Sequence, residues 1–289
     1  SIMILYYLFA ILSGVSLGTV GVLVKTLEHT NNAISIILFR ILFGILLIYA
    51  VTRFTSSHKN KSVKKDYINY GITGLFFSLA STTMIFAYLL SSIQEAVIII
   101  YLYPFFVFIL AYFILNEKIN TGKIVSAIIA FLGLIIMNPF DPNSITFYGN
   151  IFALMSAIFG ALFIVWMRKE SNSNYGLNAT MWNFIFAAII LSPIAIIIGL
   201  DFNNLILLAV LGIISLGIAY SLLELSLKKL DADTASLILL FSEPTSAILM
   251  GYLFLGETIQ FNVILGGIFI LAGGLFLSMY KRIHLPKFK

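Results

Sequence analysis

Cysteine is absent from this 289-residue chain, so neither a disulfide framework nor a thiolate metal site can form. Charge is scarce: Asp, Glu, Lys and Arg together make up 10% of the residues. A water-soluble domain of this length needs far more polar surface, which excludes one here. Histidine is rare, and His29, His58 and His284 all fall in predicted loops or the tail. No aspartate lies securely inside an apolar run. The His-Glu-x-x-His zinc pattern, the Ser/His pair and the paired aspartates of an intramembrane protease are all lacking. These absences point to a protein that is not an enzyme and that carries no metal or cofactor.

What the chain has in quantity is apolar residues, 61% of the total, with a mean hydropathy of +1.06. Its solvent must be largely lipid. A spanning helix needs roughly 20 apolar residues. Polar breaks divide the sequence into ten such runs, at 3–24, 33–51, 68–90, 93–115, 121–138, 147–167, 177–199, 204–227, 233–255 and 260–280. The runs are continuously apolar rather than alternating in short segments, which specifies helices over a barrel. Asn138-Pro139-Phe140-Asp141-Pro142-Asn143 is a clear loop between the fifth and sixth. The first run ends without a small-residue cleavage pattern and reads as a spanning helix, not a signal peptide.

The basic residues orient these helices. With the N-terminus in the cytoplasm, 15 of the 17 fall in inner loops or the tail; Lys25 is left outside and Arg40 lies within the second span. That is the positive-inside bias. It places both termini in the cytoplasm of an integral membrane protein, with the cell (inner) membrane as the expected location. It also accounts for the pI of about 9.2 without a nucleic-acid partner.

Self-comparison exposes a duplication. At an offset of 140, Pro104 falls on Pro244, Glu117 on Glu257 and Gly133 on Gly273, while Gly18 and Gly160 correspond at 142. Five helices per copy is an odd number, so the second copy enters the membrane from the opposite side. Lys118 and Lys123 flank the fourth-to-fifth connection, and its copy around Glu257 has no basic residue. The third-to-fourth connection has none, and its copy carries Lys228 and Lys229. Residues 1–140 therefore form a first five-helix repeat, and residues 141–289 an inverted second one with a basic tail. Such repeats support alternating access by exchanging conformations.

Phe39-Arg40-Ile41-Leu42-Phe43-Gly44, Tyr103-Pro104-Phe105-Phe106, Asn116-Glu117-Lys118 and Gly133 resemble the drug/metabolite transporter (DMT) superfamily, in its branch with two EamA domains. The second copy carries the resemblance through Glu243-Pro244, Gly256-Glu257 and Gly266 to Gly274. Members often have Trp-Gly in the first helix of each repeat, where this chain has Leu17-Gly18 and Phe159-Gly160. The resemblance implies an all-α membrane fold of ten transmembrane helices in two inverted repeats, and a secondary transporter. The superfamily includes amino-acid exporters, nucleotide-sugar and sugar-phosphate exchangers, and transporters of other metabolites.

Ionisable groups inside a membrane are costly, which makes them candidates for function. Arg40 and Glu243 lie at similar depth, so they either form a permanent ion pair or flank one site for a carboxylate and an amino group or proton. Glu224, near the cytoplasmic end of the eighth span, either snorkels towards Lys228 and Lys229 or accepts a proton or cation. Lys25 and Glu95 are candidates for an outer gate, or serve only as a surface charge and a helix cap. Glu117 and Glu257 are expected to satisfy backbone N–H groups near the fifth and tenth helices. Pro104 and Pro244 are expected mid-helix at the same level of each half, as kinks or hinges. Tyr7, Tyr88, Tyr101, Tyr103, Trp166, Trp182 and Tyr220 either line a cavity or, especially the tryptophans, sit in interfacial belts. Gly14, Gly18, Gly266 and Gly273 are expected to pack helices closely.

One arginine, one glutamate and many aromatics suit a zwitterionic or cationic metabolite, such as an amino acid. Several buried Lys or Arg would be needed for a sugar phosphate. The partners expected are thus a small-molecule substrate, protons and the lipid bilayer. A transporter of another class, a channel and a non-transporting receptor are the competing readings.

Overall fold

A computed structural model of the chain describes residues 2–54, 64–137, 139, 142–170, 176–230 and 232–284. His58, Lys59, Lys61, Lys287 and Lys289 lie outside these, as do Asn138, Phe140 and Asp141 of the central loop. Every regular element among the described residues is helical. With hydrocarbon as solvent, each backbone polar group must be satisfied within its own segment, and helices do this.

Five of these elements belong to the first repeat's spans in the simplest way: α1 (Ile2–Leu27), α2 (Ala33–Phe54), α3 (Lys64–Leu90), then the pair α4 (Ile93–Ile100) and α5 (Tyr103–Leu115), which share one span. α6 (Thr121–Met137) closes that repeat. The second repeat runs through α7 (Phe147–Glu170), α8 (Leu177–Ile198), α9 (Leu205–Gly212), a π-helix (Ile213–Ile218), α10 (Ala219–Leu227), α11 (Ala232–Leu255) and α12 (Phe261–His284). α9, the π-helix and α10 are one continuous span, Leu205–Leu227. Each expected run is therefore occupied by helix.

The duplication extends to backbone detail. α5 ends at Asn116 with φ 55°, and α11 ends at its repeat equivalent Gly256 with φ 65°. Glu117 N–H then bonds to Ala111 O and Glu257 N–H to Gly251 O, both at 3.2 Å. A left-handed residue followed by this bond to the carbonyl six residues back terminates both helices in the same way.

Small residues set the close crossings. Gly14 and Gly18 of α1 lie against Ser242 and Ser246 of α11, Gly266 of α12 lies against the Gly133 carbonyl of α6, and Gly273 against the Ser126 carbonyl. Where α2 crosses α9, Gly212 sits beside the Arg40 carbonyl; in the equivalent crossing of α8 and α3, Gly74 sits beside the Asn183 carbonyl. Gly160, the repeat equivalent of Gly18, faces open space instead.

The two prolines differ. Pro244 lies inside the unbroken α11, as expected, but Pro104 opens α5 after a break at Tyr101 and Leu102. Leu102 N–H there bonds to Ile99 O at 3.0 Å, a tightened final turn. Proline removes one helix bond in either case; the neighbours decide whether the helix breaks.

At the end of the bundle that holds Lys25, loops from different repeats interlock. Asn32 N–H donates to Asp201 Oδ2 at 2.7 Å, Asp201 N–H to Ser35 Oγ at 2.8 Å, and Asn31 Nδ2 to Asn203 O at 2.7 Å.

Candidate functional site

Arg40 sits on a stretch of α2 that is buried on every side, and is itself 3% exposed. A guanidinium cannot shed its charge, so its hydrogen-bond partners are what make such burial tolerable. Its Nε donates to Ser215 Oγ at 2.9 Å and its Nη1 to Ser81 Oγ at 3.1 Å. Ser215 belongs to the π-helix and donates its own proton to Leu211 O at 2.6 Å, which turns its lone pairs to the arginine. Both partners are neutral. Among the described residues no carboxylate pairs with Arg40, so the charge is positioned without being cancelled.

Glu243 lies on α11, one residue before Pro244. Its Oε2 accepts a 2.6 Å hydrogen bond from the Tyr101 hydroxyl, which also lies 3.1 Å from Leu239 O. Tyr101 occupies the α4–α5 break, and its ring meets Tyr103 edge-on at 5.8 Å. Arg40 is within Coulombic reach of Glu243, Tyr88 and Tyr220, and Glu243 also reaches Tyr103. Tyr220 is fixed edge-on against Phe184 at 5.2 Å. The sequence left open an ion pair or a flanked site; among the described residues Arg40 and Glu243 form no ion pair. Arg40 of the first repeat and Glu243 of the second are thus each held by hydroxyls.

The remaining candidates divide. Tyr7 is 42% exposed on α1, outside the cluster. Trp166 and Trp182 are half-buried, the first under Lys169 Nζ at 4.4 Å from its ring centroid and the second against Tyr67. Glu224 is half-buried with a carboxylate oxygen beside Gly176, the N-cap of α8. The Lys25–Glu95 pair, one of the two readings of these residues, does not form. Lys25 Nζ lies 3.7 Å from Glu257 Oε1, and buried Glu95 accepts from Asn150 Nδ2 at 2.6 Å. Ser92 caps α4 by accepting from Glu95 N–H, so it is the Glu95 backbone that takes part in the cap. Glu257 does satisfy a helix N–H, but that of Ile93 in α4, through both oxygens at 3.0 Å, rather than one in the helix after it. Glu117 approaches Lys123 Nζ at 3.6 Å.

Residues 4–138 and 147–279 each match the EamA-like transporter family. The chain belongs to that family. An "uncharacterized transporter" of Clostridium kluyveri is 26% identical over 93% of this chain and 91% of its own length. The "pseudopaline exporter CntI" of Pseudomonas aeruginosa is 23% identical over 95% of this chain and 96% of its own. A solved crystal structure superposes with a TM-score of 0.66 over 97% of this chain and 99% of that one; at 15% identity it shows the fold.

This EamA transporter also uses residues that sequence reasoning passed over. Ser81 and Ser215 hold the arginine, and Asn150 holds Glu95. A signal existed for the serines: a lone arginine in an apolar run demands polar partners from neighbouring spans. The π-helix had none, since it differs from an α-helix by hydrogen-bond register and not by composition. Ser221, Ser242 and Trp166 Nε1 are buried without a partner among the described residues.

Proposed function

We propose that the transporter moves a small zwitterionic or cationic metabolite, an amino acid or a related compound, by alternating access. The observation that carries this is that Arg40 is held by two serine hydroxyls and Glu243 by a tyrosine hydroxyl, with no ion pair between them among the described residues. A carboxylate meeting Arg40 and an ammonium meeting Glu243 would neutralise both charges at once, in surroundings where unpaired charge is expensive. The tyrosines add aromatic faces suited to an ammonium group. A single buried arginine is poor provision for a phosphate-bearing substrate. The relatives named as exporters favour outward movement. The basic loops favour a cytoplasmic placement for both termini, with Lys25 at the outer end.

The test is counterflow of a mixed amino-acid pool into proteoliposomes. Saturable exchange is expected for the parent and its loss in Arg40→Ala and Glu243→Gln. Folded protein that exchanges no amino acid, or variants that exchange like the parent, would contradict the reading. Proton coupling through Glu224 predicts in the same assay that Glu224→Gln alters the pH dependence of exchange, and an unchanged profile contradicts it.

A further inference from the structure

α4 is eight residues long, and Ile93 to Ile99 are all buried. It is strapped at both ends to α11 and to the loop between α11 and α12. At the Lys25 end, Glu257 receives Ile93 N–H and faces Lys25, while Gln94 Nε2 donates to Thr258 O at 2.7 Å and Gln94 Oε1 accepts from Gln260 N–H at 3.3 Å. At the other end the Tyr101 hydroxyl reaches Glu243. One short rigid helix thus joins the lock at the Lys25 end to the carboxylate of the central cluster. The hydroxyl at its inner end belongs to one repeat only. At an offset of 140 the equivalent of Tyr101 is Phe241, which has no hydroxyl and is 41% exposed.

We propose that Tyr101 is a positioning residue that couples the occupancy of Glu243 to the opening of the Lys25 end. Its hydroxyl holds the inner end of α4 against α11, and while it does so Ile93 stays seated on Glu257. A cation arriving at Glu243 competes with the phenol for the carboxylate, frees that end of α4 and loosens its N-terminus. The inference rests on alternating access, but its test uses no substrate, so its failure and that of the amino-acid reading are distinguishable.

The absence of native cysteine makes a single reporter clean. Ala96→Cys places it one turn inside the lock, at a position that is 0% exposed. In nanodiscs without substrate, its labelling by a hydrophilic maleimide reports opening. Glu257→Ala, which removes the acceptor for Ile93 N–H, is expected to speed labelling by breaking the lock directly. Tyr101→Phe is expected to speed it about tenfold, the effect of losing one hydrogen bond to a charged group. Tyr7→Phe, at an exposed residue outside the cluster, is expected to label like the parent. Parent-like labelling of Tyr101→Phe or of Glu257→Ala overturns the proposal, as does an equal rise in Tyr7→Phe, which would signal general loosening. If Tyr101→Phe does not fold, Glu243→Ala and Glu243→Gln replace it. The first removes the acceptor and is expected to label fast, the second keeps an oxygen for Tyr101 and is expected to stay near the parent; equal rates overturn the proposal.

Discussion

Two serine hydroxyls hold Arg40, and they set how it can be substituted. Lysine offers a point charge on a flexible stem and cannot reproduce a planar fork whose Nε and Nη1 go to different helices. Ser215→Ala or Ser81→Ala removes one hydrogen bond to a charged group, worth about 1.5–3 kcal/mol. Under the proposed function each should raise the half-saturation concentration for exchange by roughly tenfold or more. Unchanged half-saturation in both variants would mean that these hydroxyls do not position Arg40 for substrate. At this scale the sequence was informative about which residues matter and uninformative about their partners. Arg40 and Glu243 stood out because each is a lone charge in an apolar run. That Lys25 meets Glu257 rather than Glu95 depends on how α4 is rotated against α1 and α11, which spacing along the chain does not encode.

Among the elements, repeat-equivalent residues meet unequal surroundings, and this gives a paired test. A side chain at Gly18 would run into Ser246 and the backbone of α11, whereas one at Gly160 would enter open space. Gly18→Val should therefore destabilise by overpacking, on the order of 1–3 kcal/mol, and Gly160→Val should be tolerated. Thermal unfolding of the purified variants in detergent reads the difference directly; equal midpoints would contradict the account of α1 against α11. The prolines show the same inequality. Pro104 and Pro244 are alike in sequence, but only Pro104 lies at a helix break, and there Tyr101 is drawn to Glu243. A proline marks a missing hydrogen bond, and tertiary contacts decide whether the helix continues through it or breaks.

For the whole molecule, hydropathy and duplication were enough to foresee ten spans in two inverted halves, because lipid forces long apolar helices and the duplicated Asn116-Glu117 and Gly256-Glu257 ends fold alike. The central cluster was only partly legible, since it draws on α2, α3, the α4–α5 break, α10 and α11, and only their packing assembles it. Its proposed role is the recognition of both charges of one molecule. The most direct test compares, in counterflow, an exchanged amino acid with the amine that lacks its carboxylate, in the parent and in Arg40→Ala. Strong preference for the amino acid in the parent, with Arg40→Ala losing that preference while still moving the amine, is the predicted result. A parent that handles both compounds equally, or an Arg40→Ala variant that keeps the parent's preference, would contradict the account.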